Sequence, residues 1–346
     1  MIVTVEEDGP DLDWTRAGVY RVEDGVYRIP LPLPHDALRA VNVYAIENSD
    51  GVVLVDAGWA LLVSEEALGD ALSALHHDFT DLEQLLVTHS HRDHFTQAIT
   101  IRRQFGTPVA IGKGERLSLS AMIERPGDMV NERLERLATC GASGLVERLR
   151  ASPAAAVATQ EDLWELPDHW LDDRQEVVIG QRTLTCVETP GHTRGHVVFH
   201  DEANGLLFAG DHLLPHITSS IGFERVPSVS PLRDYLASLR LIRAMPSTRL
   251  LPAHGPVAPS SHARAEEILS HHEARLEATK RALDRGASTP FEVASMLTWT
   301  RRQIALETMD DFNQQIAVFE TVAHLDVLVE ASQAALSTDV GVMHYS

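Results

Sequence analysis

The chain has 346 residues, 44% hydrophobic and 23% charged, a composition that builds buried cores and a length that suggests a large domain plus an appendage. Its 29 basic against 50 acidic side chains leave a net charge of −21, which repels phosphate backbones and anionic headgroups at long range. No apolar run long enough to span a membrane is present, and Cys140 and Cys186 allow no disulfide framework. The acidic N-terminus, MIVTVEEDGPDLDW, lacks the basic-then-apolar order of an export signal, so the expected setting is the cytoplasm with reduced thiols.

In chain order, GVYRVEDGVYRIPLP places Val19, Val22, Val26 and Ile29 around Asp24-Gly25, which predicts a hairpin closed by a type I′ turn. Residues 41–46 and 52–55 predict two further strands joined by Asn48-Ser49-Asp50-Gly51. Residues 64–75 predict a helix, with Leu68, Ala71, Leu72 and Leu75 on one face. A short apolar strand at 85–87 runs into Thr88-His89-Ser90-His91, followed by a helix over 95–105 and a strand at 108–111. From about Glu115 to Asp172 the pattern changes. Helices are predicted at 129–140 and 145–149, and Pro153, Pro167 and Trp170 mark irregular chain. Strands return at 176–179, 182–187, 196–199, 206–208 and 249–251. After Pro259 helical spacing dominates, at 263–283, 290–297 and 313–328. The expected architecture is therefore a mixed α/β unit over 1–257 with a helical insert at about 115–172, and a helical unit over 258–346.

The segment Thr88-His89-Ser90-His91-Arg92-Asp93-His94 carries four metal-type side chains directly after an apolar strand. A strand that ends there turns several imidazoles toward one point, and nitrogen with carboxylate oxygen suits zinc, and also manganese or iron. A lone histidine is more often structural. Here the same kind of residue recurs after three other strands, in Thr189-Pro190-Gly191-His192, in Gly210-Asp211 and in Pro252-Ala253-His254-Gly255.

These residues resemble the metallo-β-lactamase superfamily. Its HxHxDH signature matches residues 89–94, and its later motifs match Gly191-His192-Thr193-Arg194-Gly195-His196, Gly210-Asp211-His212 and His254-Gly255. The resemblance covers roughly residues 17–257 and implies an αββα sandwich holding two divalent ions. It implies His89, His91 and His192 on the first ion, Asp93, His94 and His254 on the second, and Asp211 bridging both. Two such ions lower the pKa of a bridging water toward neutrality, making a hydroxide nucleophile, and polarise the substrate oxygen. Asp93 and Asp211 are then the catalytic carboxylates, with Asp93 orienting the nucleophile or passing a proton. The VLVDAG stretch matches an early family motif and makes Asp56 a support behind the ligands, as is His196. His212 and His216 are expected at the substrate pocket. His169 and His200 read as surface or loop residues, His271 and His272 as structural or solvated, and Cys186 as a buried strand residue.

The segment after residue 257 resembles the winged-helix-type domain that follows some members of the superfamily. It holds 7 Lys/Arg against 13 Asp/Glu, a net of −6, without the basic stripe that DNA reading needs. It is expected to serve as packing, pocket wall or dimer contact. The insert offers Leu117, Met122, Met129 and Leu134 as a substrate wall. The resemblance implies hydrolysis of a carboxylic thioester, ester or lactone. The alternatives are a phosphodiesterase or ribonuclease, and a non-catalytic ligand-binding protein. The expected partner is a small molecule, with neither nucleic acid nor membrane, and a homodimer stays open.

Overall fold

The computed structural model describes residues 4–34, 36–151 and 163–346. Pro153, one of the predicted breaks, lies outside them, as does the rest of 152–162 within the insert.

An eight-stranded sheet is laid down in chain order. Its strands are β1 (Val5–Glu7), β2 (Val19–Glu23), β3 (Val26–Pro32), β4 (Ala40–Glu47), β5 (Val52–Val55), β6 (Leu82–Val87), β7 (Val109–Gly112) and β8 (His169–Leu171). The pairs β2–β3, β3–β4 and β4–β5 are antiparallel, whereas β5 to β8 run parallel through helical crossovers. The crossovers carry α1 (Leu62–Ala74) between β5 and β6 and α2 (Arg92–Phe105) between β6 and β7. The β7–β8 crossover is the insert, with α3 (Arg116–Glu124), α4 (Met129–Thr139) and α5 (Ser143–Ala151).

A second sheet, in the order β13-β12-β11-β10-β9, uses β9 (Glu176–Ile179), β10 (Arg182–Glu188), β11 (Val197–Asp201), β12 (Leu206–Gly210) and β13 (Arg249–Pro252). α6 (Pro231–Ala244) separates its last two strands, which pair in parallel. The C-terminal segment contains α7 (Ser261–Asp284), α8 (Pro290–Met296), the β14–β15 hairpin (Thr298–Trp299 with Ile304–Ala305), α9 (Asp311–Glu330) and the β16–β17 hairpin (Leu336–Asp339 with Val342–Tyr345).

Successive side chains of a strand point to opposite faces, and strands covered on both faces read as continuous apolar runs. β5 shows this with four residues. Val53 and Val55 enter a core between the sheets, with Tyr44, Ile46 and Leu86 facing Leu184, Cys186, Phe199 and Phe208. Val52 and Leu54 face the outer helices, packing with Leu68 and Leu72 of α1 and Phe95 and Ile99 of α2. On the far side Val187, Val198, Leu207 and Leu250 meet Leu232, Tyr235 and Leu239 of α6 and Ile268 of α7. Helix, sheet, sheet, helix: the αββα sandwich is present.

Four local expectations change. A type I′ turn needs positive φ at both central residues, but of Asp24 and Gly25 only Gly25 has it (φ 67°), and the ladder shifts register between Arg21 and Glu23. Trp170, read as irregular chain, lies in β8, which the parallel β7 backbone recruits as an edge strand. His200, read as a surface or loop residue, is buried in β11. Leu134, offered as substrate wall, is a buried core residue. It joins Leu137, Cys140, Leu145 and Val146 in a core shared with Val293, Trp299, Val318, Phe319 and Tyr345 of the C-terminal segment.

Candidate metal centre

Every candidate ligand follows the C-terminal end of a strand. β6 ends at Val87 before residues 88–94, β10 at Glu188 before His192, β12 at Gly210 before Asp211, and β13 at Pro252 before His254. The structure gathers His89, His91, His192 and Asp211 into one group and Asp93, His94 and His254 into another. Within each group one donor atom per residue lies within 4.8 Å of the others.

Asp211 connects the groups. Its Oδ1 is 3.6 Å from His94 Nε2 and 3.4 Å from His254 Nε2, and its Oδ2 is 3.5 Å from His192 Nε2. Asp93 Oδ2 lies 3.4 Å from His254 Nε2, and His91 Nδ1 lies 3.1 Å from His192 Nε2. These atoms face one another without closing a normal set of hydrogen bonds. Indeed Nε2 of His89, His94 and His254 and Oδ1 of Asp211 are buried with no hydrogen-bond partner.

The outer ring nitrogens explain why. His192 Nδ1 donates to the Ser220 carbonyl at 2.8 Å and His254 Nδ1 to the Ala40 carbonyl at 2.8 Å. His94 Nδ1 donates to Asp56 Oδ2 at 2.9 Å. The Thr88 hydroxyl donates to the Asp56 carboxylate, so it accepts from His89 Nδ1 at 3.0 Å. Each ring thus carries its proton on the outer nitrogen and turns a bare Nε2 lone pair inward, the arrangement by which proteins orient metal-binding imidazoles. Buried polar atoms rarely stay unpaired, so this donor set fits divalent ions.

The electrostatics agree. Burial pushes His94 down, but the Asp56, Asp93 and Asp211 carboxylates outweigh it and raise the ring to about 10. At neutral pH the metal-free ring therefore takes a second proton on Nε2, which a divalent ion would displace, so the enclosure favours a cation at that position. Burial and its imidazole neighbours push His89 far below its ordinary value, and burial with His192 lowers His91 to about 3, which keeps both rings neutral and able to ligate. Burial opposes ionisation of Asp93, but facing His94, His254 and His91 hold its carboxyl well below the usual range.

His196 stands behind the centre, accepting from the Asp211 backbone N–H at 3.1 Å and donating from Nδ1 to the Thr189 hydroxyl at 2.9 Å. Gly210 precedes Asp211 at φ 50°, and a Cβ there would fall 2.6 Å from Thr88 Oγ1 and 2.8 Å from His196 Nε2. His212 was expected at the substrate pocket. Its ring is fully buried and packs against Tyr235, 5.2 Å between centroids, rather than lying exposed on a pocket wall. His216 is exposed on the loop after Asp211.

Sequence reasoning missed Glu115 and Glu224. Buried Glu115 accepts from the Ser90 and Thr193 hydroxyls, fastening the 88–94 loop to the 192–196 loop. Gly195 permits this closeness, since a Cβ there would fall 2.0 Å from the Glu115 nitrogen. Glu224 accepts from the Ser118 hydroxyl and, at 2.8 Å, from the Arg194 N–H. Neither carboxylate carries a motif, because the partners of Glu115 lie 25 and 78 residues away.

The sequence profile of the metallo-beta-lactamase superfamily matches residues 36–254, which brackets the whole ligand set. This chain belongs to that superfamily. A relative described as a probable metallo-hydrolase, from Bacillus subtilis, is 28% identical over 321 residues, covering 90% of this chain and 93% of its own length. A solved structure of a metallo-beta-lactamase family protein from Thermus thermophilus superposes with a TM-score of 0.71 at 26% identity, covering 94% of this chain and 99% of that one. Shorter matches include an atrochrysone carboxyl ACP thioesterase from Paecilomyces divaricatus, 30% identical over 44% of this chain and 46% of that protein. A hydroxyacylglutathione hydrolase from Fuscovulum blasticum is 28% identical over 62% of this chain and 65% of its own. The superfamily and the names of these relatives indicate a hydrolase. No helix among the described residues is long and apolar enough to cross a membrane.

Proposed function

We propose that the chain is a binuclear metallohydrolase, of zinc type, that cleaves a carboxylic thioester, ester or lactone. The carrying observation is Asp211, whose two oxygens face two separate histidine groups at 3.4 to 3.6 Å. A carboxylate in that position can bridge two ions, with His89, His91 and His192 holding one and Asp93, His94 and His254 the other. When bound, such ions activate water and polarise the substrate carbonyl. The chain's own residues supply the rest. Asp56 and the Ser220 and Ala40 carbonyls fix the imidazole protons outward. Asp93, held ionised, accepts a hydrogen bond from the attacking water and orients it, and is a weaker carrier of protons. Two relatives that match over part of their length are named for thioester chemistry, which supports a carbonyl substrate. Buried free thiols at Cys140 and Cys186 support a reducing, cytoplasmic setting. The acidic surface supports a small-molecule partner over nucleic acid or membrane.

The test is a panel of acyl-thioesters, lactones, aryl esters and bis-aryl phosphodiesters at equal zinc loading. Medium or bulky acyl substrates should turn over fastest, at close to two ions per chain. His91→Ala and Asp211→Asn should lose metal and activity together. Fastest turnover of the phosphodiester by a wide margin overturns the carbonyl reading in favour of a phosphodiesterase.

A further inference from the structure

A second set of donors lies away from the metal centre, where α7 crosses α9. One ring nitrogen each from His271 and His272 and one carboxylate oxygen from Glu320 lie within 4.8 Å of one another. His272 and Glu320 are buried, whereas His271 is exposed, which leaves an entry path on one side. The site is separate from the first. It shares no donor with the first groups, and the fully buried Tyr235 packs its ring 5.6 Å from His272 and 5.2 Å from His212.

Hydrogen bonds again fix the tautomers. His324 Nδ1 must donate to the Glu320 carbonyl at 2.8 Å, which leaves its Nε2 as an acceptor. That Nε2 accepts from His272 Nδ1 at 3.1 Å, so His272 carries its proton there and keeps a bare lone pair on Nε2. This Nε2 is buried and has no hydrogen-bond partner. The His324–carbonyl relay behind His272 repeats the outer-nitrogen support seen at the metal centre. Burial lowers both rings, so neither competes for a proton near neutral pH. Burial also raises Glu320, a carboxyl that gains by meeting a cation. Arg275 is the basic neighbour, near enough for its charge to act on His271, His272 and Glu320, but its guanidinium is anchored elsewhere. Its guanidinium lies 3.8 Å over the Trp299 ring and Nη1 donates to the Thr298 carbonyl at 2.7 Å.

We propose that His271, His272 and Glu320 form an additional site for a divalent transition-metal ion, pinning α7 to α9, with water completing the coordination. Two imidazoles and one carboxylate suit zinc, cobalt or nickel rather than calcium or magnesium. The open side and the single carboxylate make it weaker than the centre on the sandwich, and exchangeable.

Zinc is titrated into the full-length protein at neutral pH against a chromophoric chelator, with His271→Ala and Glu320→Gln measured alongside. The wild type should take up one more ion per chain than either variant, and its melting temperature should keep rising with zinc after the variants have levelled off. The comparison is a difference, so it stands whether the first centre holds one ion or two, and it needs no substrate. His271 is exposed, so its removal keeps the fold even if Glu320→Gln does not. Equal uptake by the wild type and His271→Ala overturns the proposal. So does cobalt-loaded wild type whose visible spectrum is unchanged by His271→Ala.

Discussion

Asp56 adopts φ 60°, in the left-handed region that disfavours most side chains but that aspartate and asparagine tolerate. The turn aims the carboxylate at Thr88, whose N–H it binds at 2.8 Å, and at His94 Nδ1. Asp56→Asn keeps the backbone preference and one acceptor oxygen, yet places an amide N–H₂ among donors. His94 can then relieve the conflict only by moving its proton to Nε2, the nitrogen that faces the site. Metal affinity should therefore fall by roughly 10- to 100-fold, the usual effect of removing such support, and the metal-free protein should also melt lower, because the buried donors of Thr88 and His94 lose a carboxylate acceptor. Chelator competition on wild type and variant measures it, and equal affinities would refute the role. This residue was legible because VLVDAG resembles a family motif. Glu115 was not, since its role rests on a close approach of loops that no local pattern encodes.

At the scale of elements, the centre depends on connections being tied together beneath it. Glu115 joins the loops after β6 and β10, and Glu224 joins the start of α3 to the Arg194 backbone. Burial and the neighbouring Glu115 carboxyl push Glu224 up to about 8. The unfolded chain ionises this group near 4.5, so between about 4.5 and about 8 the folded state binds more protons than the unfolded one. Its contribution to stability is therefore complete below the lower value and is lost as pH rises toward the upper one. Glu224→Gln stays neutral throughout. The melting temperature of the variant relative to wild type should climb with pH across that window and level off above it, read by scanning calorimetry in matched buffers. A difference that stays constant with pH would show that Glu224 ionises normally. Many of the elements were readable from periodicity, as with α2, α7 and α9, whereas α6 is not among the helices predicted from the sequence. The exceptions are instructive: α3 and β8 are short, and β8 exists because β7 offers an edge to pair with, a tertiary cause that sequence spacing does not register.

Across the whole molecule, the striping of apolar residues indicated a mixed α/β unit, an insert and a tail, and the family resemblance implied the sandwich, but neither indicated that insert and tail share a core. A helix is predicted at 129–140, and nothing in its spacing says what covers the apolar face formed by Val130, Leu134 and Leu137 of α4. The structure covers it with the C-terminal segment: Val293, Trp299, Phe319 and Tyr345 pack in the same cluster as Leu134, Leu137 and Leu145. The Gly141 turn after α4 also abuts Thr289, which caps α8. An insert built in this way cannot be deleted to probe substrate binding, because its removal would expose the apolar face of the tail. A point substitution asks the question better. Leu137 is fully buried in that cluster, and Leu137→Ala should destabilise by about 2–5 kcal/mol, the range for truncating a core leucine. If insert and tail are one cooperative unit, amide exchange should accelerate together in α4, α5, α8 and α9. The strands that carry the metal ligands, β6, β10, β12 and β13, should keep their protection, and metal content should be unchanged. Acceleration confined to α4 and α5 would mean that the tail folds independently of the insert, and that the shared core contributes little to holding it.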